Sequence, residues 1–136
     1  MYFRDWKPKK DIKKLTEITV SNFRVSSDTV NEILQKSHKV LVICNDKGKV
    51  VGFLCYNLYL SKVAHINYIV LEKKYRGKGN LQSLLPGLVA YARKKGILVV
   101  SGFVNKYNPE ALQKFKEFGF KPILIYHDDI LIQSLI

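Results

Sequence analysis

The chain is short of several things. It has 136 residues, with only two cysteines, one tryptophan and 11 acidic residues against 23 basic ones. Cys44 and Cys55 stand apart inside apolar runs, with no CxxC and no neighbouring histidine. That spacing excludes a zinc site of the usual kind and favours buried free thiols over a disulfide. His38, His65 and His127 are scattered, so no metal site is expected. No apolar run approaches the roughly 20 residues of a membrane-spanning helix. The opening MYFRDWKPKK is charged throughout, unlike the apolar core of a secretion signal, which predicts a cytoplasmic chain. There is no repeat, linker or low-complexity tract, and the length fits one domain, residues 1–136. With 47% hydrophobic residues the chain has material for a core without staples.

What is abundant is positive charge, a formal +12. It is uneven. Arg4, Lys7, Lys9, Lys10, Lys13 and Lys14 crowd the start, and Lys73, Lys74, Arg76 and Lys78 form a second group, followed by Arg93, Lys94 and Lys95. Beyond Lys121 there is no lysine or arginine. Such a balance points to a polyanionic ligand, to nucleic acid, or to a solvated face.

Periodicity supplies the elements. Met1 to Trp6 alternates aromatic and charged side chains as a short edge strand that Pro8 ends. From Asp11, apolar residues Ile12, Leu15 and Ile18 fall on one helical face. Ser26-Ser27-Asp28 announces a second short helix, with Thr29 and Glu32 at capping-box spacing just before Ile33-Leu34. Val40–Cys44 and Val50–Leu60 flank a glycine-bearing turn and read as a hairpin. Lys62–Leu71 is a third strand, then a glycine turn, a helix to Lys95 with Pro86 kinking it, and a strand Ile97–Val104. A helix Asn108–Phe118 and strands Phe120–Tyr126 and Ile130–Leu135 complete the chain. The order predicts an α/β (α+β) protein, a mixed sheet of six to seven strands with helices on both faces. The apolar final strands leave monomer and homodimer both open.

Arg76-Gly77-Lys78-Gly79 lies between strand and helix. Two glycines admit positive φ and close approach of a ligand, while the helix start offers unpaired N–H groups and a positive dipole end. The chemistry suits a pyrophosphate, although the turn matches neither standard nucleotide fingerprint.

Tyr75-Arg76-Gly77-Lys78-Gly79 after an apolar strand, a helix closing at Lys95-Gly96, then Asn108-Pro109-Glu110-Ala111 and Phe118-Gly119-Phe120 resemble the GNAT N-acetyltransferase superfamily. The resemblance spans nearly the whole chain and is most specific from Asn67 to Pro122. It implies a GNAT-like fold and direct transfer of acetyl from acetyl-CoA to an amine of a small molecule or protein. Backbone groups of Ile69, Val70 and Leu71 would pair with the pantetheine arm. N–H groups of Arg76, Gly77, Lys78, Gly79, Asn80 and Leu81 would hold the pyrophosphate, and Asn108 would lie beside the pantetheine and acetyl region. Two positions depart from the family pattern. Leu81 stands where the motif has Gly or Ala, and either crowds the phosphate or turns into the core. Phe115 replaces the tyrosine that protonates the departing thiolate. That leaves solvent, a nearby tyrosine such as Tyr107, or slow chemistry.

The resemblance implies a base on the strand before the glycine turn, and that place falls near His65, whose imidazole has a suitable ordinary pKa. A half-buried strand histidine bonded to a neighbour is the structural alternative. Asn67, on the same strand face, is a candidate for positioning a water or the substrate. The runner-up function is a basic binding protein on this fold, contacting nucleic acid or a protein partner without turnover.

Overall fold

A computed structural model describes residues 1–136. The elements run β1 (Tyr2–Asp5), α1 (Pro8–Asn22), α2 (Ser27–Lys36), β2 (Lys39–Cys44), β3 (Val50–Tyr59), β4 (Val63–Leu71), a 3-10 turn (Lys73–Tyr75), α3 (Asn80–Lys94), β5 (Val99–Asn105), α4 (Pro109–Glu117), β6 (Lys121–Tyr126) and β7 (Asp129–Leu135). The seven strands are ordered β1-β2-β3-β4-β5-β7-β6, with β4 and β5 parallel and β7 antiparallel to both β5 and β6. The expected mixed sheet is present at the upper end of its strand count. No helix is long and apolar enough to cross a membrane. The chain groups into two compact units, residues 1–57 with 67–84, and residues 58–66 with 85–136.

In the first unit, β-branched and apolar residues of β2 and β3 meet the inner faces of α1 and α2. Leu15, Ile18, Val30, Leu34, Val40, Val42, Phe53 and Val70 share one core with Cys44 and Cys55, both free thiols. Pro8 does not break the chain there. It begins α1, where its missing N–H costs nothing and its fixed φ already suits the helix. The helix therefore starts three residues before Asp11. The Asp11 carboxylate is buried, accepting Lys7 N–H at 2.7 Å and Arg4 Nη1 at 2.9 Å. Burial alone would push that carboxyl up; the hydrogen bonds and the guanidinium charge win and hold it below its ordinary value. The cap of α2 also differs from expectation. Ser26, not Thr29, is the N-cap, and its hydroxyl accepts Thr29 N–H at 3.2 Å. Glu32 turns instead to Lys36 on the next turn.

In the second unit, β5, β7 and β6 pair in unbroken antiparallel register except for a bulge between Pro122 and Leu124. Side chains of Val104 and Ile132 are buried on one face. Gly96 leaves α3 with positive φ, and α3 itself continues through the exposed Pro86 without interruption.

Candidate functional site

Two clusters carry the residues that sequence reasoning selected, one in each unit. The first is built on the end of β4 and the turn after it. β3 approaches β4 closely here: a Cβ on Gly52 would stand 2.3 Å from the Val70 carbonyl oxygen, so only glycine fits. Glu72 N–H donates to Val51 O at 2.8 Å, which fixes the strand end. Arg76 then folds back, its Nε donating to the Leu71 carbonyl at 2.9 Å. Asn80 Nδ2 donates to Tyr75 O at 3.0 Å, closing the loop on itself.

Between those two anchors the turn is open. Gly77 and Gly79 have φ of +69° and +75°, and a Cβ on either would meet nothing within 4 Å. Arg76 N–H bonds to Lys73 O and Ser83 N–H to Gly79 O. The six N–H groups between them, from Gly77 to Gln82, make no main-chain hydrogen bond; the four from Gly79 to Gln82 are the orphan donors of the α3 start, and Gly77 and Lys78 belong to the turn before it. Lys73, Lys74, Arg76 and Lys78 surround them, all exposed, and Glu72 is neutralised by Lys14 at 2.9 Å. The local balance is thus one of unpaired donors and cations, which suits a phosphate oxygen. The Leu81 side chain is half-buried. Asn67 is engaged elsewhere in this unit, donating from Nδ2 to Ser37 Oγ at 3.3 Å.

The second cluster lies on β4 and β5. His65 and Ser101 are register partners in the parallel ladder, and His65 Nδ1 is 2.8 Å from Ser101 Oγ. The Phe103 ring meets the imidazole edge-on at a centroid distance of 5.3 Å. Burial lowers the His65 pKa below 6.5, so the ring is neutral at neutral pH. Asn108 is engaged locally, where its Oδ1 accepts Ala111 N–H at 3.2 Å and caps α4. Phe115 packs edge-on against Phe118 and Phe120. Tyr107 is exposed, with Lys106 over its ring.

Ser101 is the residue that sequence reasoning missed. It lies 36 positions from His65 in the chain, and only the pairing of β4 with β5 reveals the contact. No three His, Cys, Asp or Glu side chains gather as a metal would require.

The family model of the acetyltransferase (GNAT) family matches residues 9–120. The chain belongs to that family. An uncharacterised N-acetyltransferase of Methanocaldococcus jannaschii is 27% identical over 95 residues, 65% of this chain and 42% of that protein. The chain thus matches less than half the length of that curated relative. Among solved structures, Ard1 from Thermoplasma volcanium has a TM-score of 0.80 at 22% identity, covering 98% of this chain and 96% of that one. The PaiA N-acetyltransferase from Thermoplasma acidophilum, solved in complex with coenzyme A, also has a TM-score of 0.80, at 17% identity and 98% coverage of both chains. At these identities the likeness is one of fold.

Proposed function

We propose that this chain is an acetyl-CoA-dependent N-acetyltransferase that moves acetyl directly from the thioester to an amine. The observation that carries the reading is the open glycine turn, where six N–H groups from Gly77 to Gln82 make no main-chain hydrogen bond and four exposed cations lie in the same segment. A pyrophosphate satisfies those donors, and a β-strand end at Ile69–Leu71 suits an extended pantetheine arm. The Leu71 carbonyl already accepts Arg76, so the arm's partners there are the remaining groups of that strand.

In the transfer, a neutral amine attacks the thioester carbonyl carbon. The C–N bond forms, the C–S bond breaks, and the nitrogen must shed one proton. His65 takes it. In the tautomer whose Nδ1–H donates to Ser101 Oγ, the one this role requires, the lone pair lies on Nε2, and burial disfavours the protonated ring. The departing thiolate takes its proton from solvent, because Phe115 has none to give. Asn108 shapes the neighbourhood by capping α4 and has no part in proton transfer.

The test is transfer of labelled acetyl from acetyl-CoA to a panel of amines. We expect turnover that His65→Gln lowers by about 100-fold, the usual scale of general-base catalysis. The wild-type rate should fall on acidification only below pH 6.5, since the active ring is the free base and its pKa is depressed. Unchanged rates in His65→Gln would remove the histidine from the mechanism. Stabilisation by nucleic acid but not by acetyl-CoA in a thermal melt would overturn the assignment.

A further inference from the structure

The register of the second unit puts an apolar row beside His65. Ser101, Phe103 and Asn105 share the face of His65 on β5, and their partners on β7 are Gln133, Leu131 and Asp129. Leu131 in turn pairs with Leu124 of β6, so Phe103, Leu131 and Leu124 form one row across three strands, with Tyr126 adjoining. Phe103 and Leu124 are each 49% exposed, and Tyr126 is 61% exposed. On the opposite face Val104 and Ile132 are buried, with Ile125 exposed at the β6 edge, while on His65's own face Ser101 is buried and Phe103 and Leu124 stand open.

Charge narrows what can lie there. Of the 11 acidic residues, seven are already in ion pairs: Asp5, Asp11, Glu32, Asp46, Glu72, Glu117 and Asp128. Among the strand residues that the register places on this face the one carboxylate is Asp129, and Lys121 stands on the same face. A polyamine or lysine-rich peptide carries several positive charges and needs several carboxylates. This chain has one to offer there, within a net charge of +12 that repels such ligands over distance. A monoamine on an apolar body carries at most one positive charge, so it meets a much smaller penalty and buries its body against Phe103 and Leu124.

We propose that the acceptor is a monoamine carried on an apolar, non-polycationic body, seated on the Phe103–Leu131–Leu124 row with its nitrogen toward His65. This rests on the acetyltransferase reading for its chemistry, and on the register and charge for its specificity.

The experiment is a titration of the protein, methyl-labelled at leucine and saturated with CoA, with phenethylamine and separately with spermidine. Phenethylamine is expected to shift the Leu124 and Leu131 methyl signals, and spermidine at the same concentration to leave them in place. Phe103→Ser, at a half-exposed position that tolerates polarity, should weaken phenethylamine binding by about ten-fold or more. Leu124→Asp should narrow the preference over spermidine. Equal shifts with spermidine, or no shift with either amine, would overturn the proposal. So would shifts on simple protein dilution, which would mean that a second copy of the chain covers the row. Acetyl transfer measured in parallel separates the two claims: methyl shifts without transfer remove the activity and keep the binding surface, while transfer to spermidine without shifts does the reverse.

Discussion

Two apolar strands of equal length and similar composition, β2 and β6, have opposite fates. In β2, five of six residues are buried, while in β6 all six are exposed. Val40–Cys44 lies between β1 and β3 and beneath two helices whose Leu15, Ile18, Val30 and Leu34 fill the same core. Ile123–Tyr126 ends the strand order as an edge, paired only to β7. A short apolar run therefore encodes a strand, and the place in the sheet decides whether the strand stores stability or presents a surface. Residues 1–57 with 67–84 do the first. The β5–β7–β6 face does the second.

That contrast can be broken or sharpened by substitution. Phe53, fully buried in the first unit, is expected to cost about 3–5 kcal/mol when cut to alanine, from lost transfer energy and the cavity left behind. Urea unfolding would read it. Next comes Asp11→Ala, which leaves Arg4 and the Lys7 N–H without their acceptor and should cost about 2–3 kcal/mol. The pH dependence of that contribution has a definite sign. A carboxyl with a depressed folded pKa stabilises above its unfolded value of 3.8, and the contribution disappears as pH falls through the lower folded value. Wild type and Asp11→Ala should therefore differ most at neutral pH and converge in acid. The smallest effect belongs to β6: Ile125→Ser, at a position 70% exposed, should lie within about 0.5 kcal/mol of wild type by the same unfolding assay. A large loss there would mean that β6 is covered in solution and would blur the contrast.

Local signals are readable from the chain and relational ones are not. Hydrophobic runs locate β2 to β7, and alternation of aromatic and charged side chains locates β1. The glycine turn is legible because Gly77 and Gly79 need positive φ and leave the backbone bare. The start of α1 is misplaced by sequence because proline has two readings, breaker and first helical residue, and only the fold chooses between them. The cap of α2 moves to Ser26 because three candidate hydroxyl or carboxylate caps stand together at Ser26, Ser27 and Asp28. Ser101 beside His65 and the exposure of β6 both depend on strand order. No window of sequence contains that order.

The central claim is that the turn from Arg76 to Leu81 holds the phosphates of acetyl-CoA. Calorimetric titration of acetyl-CoA into wild type and Gly79→Glu tests it most directly. The substituted side chain enters open space but strains a backbone at positive φ, so a modest fall in melting temperature is expected, while its carboxylate opposes the phosphate. The account predicts one-to-one binding to wild type and a loss of at least about ten-fold in affinity for the variant. Equal affinity for the two folded proteins would contradict it.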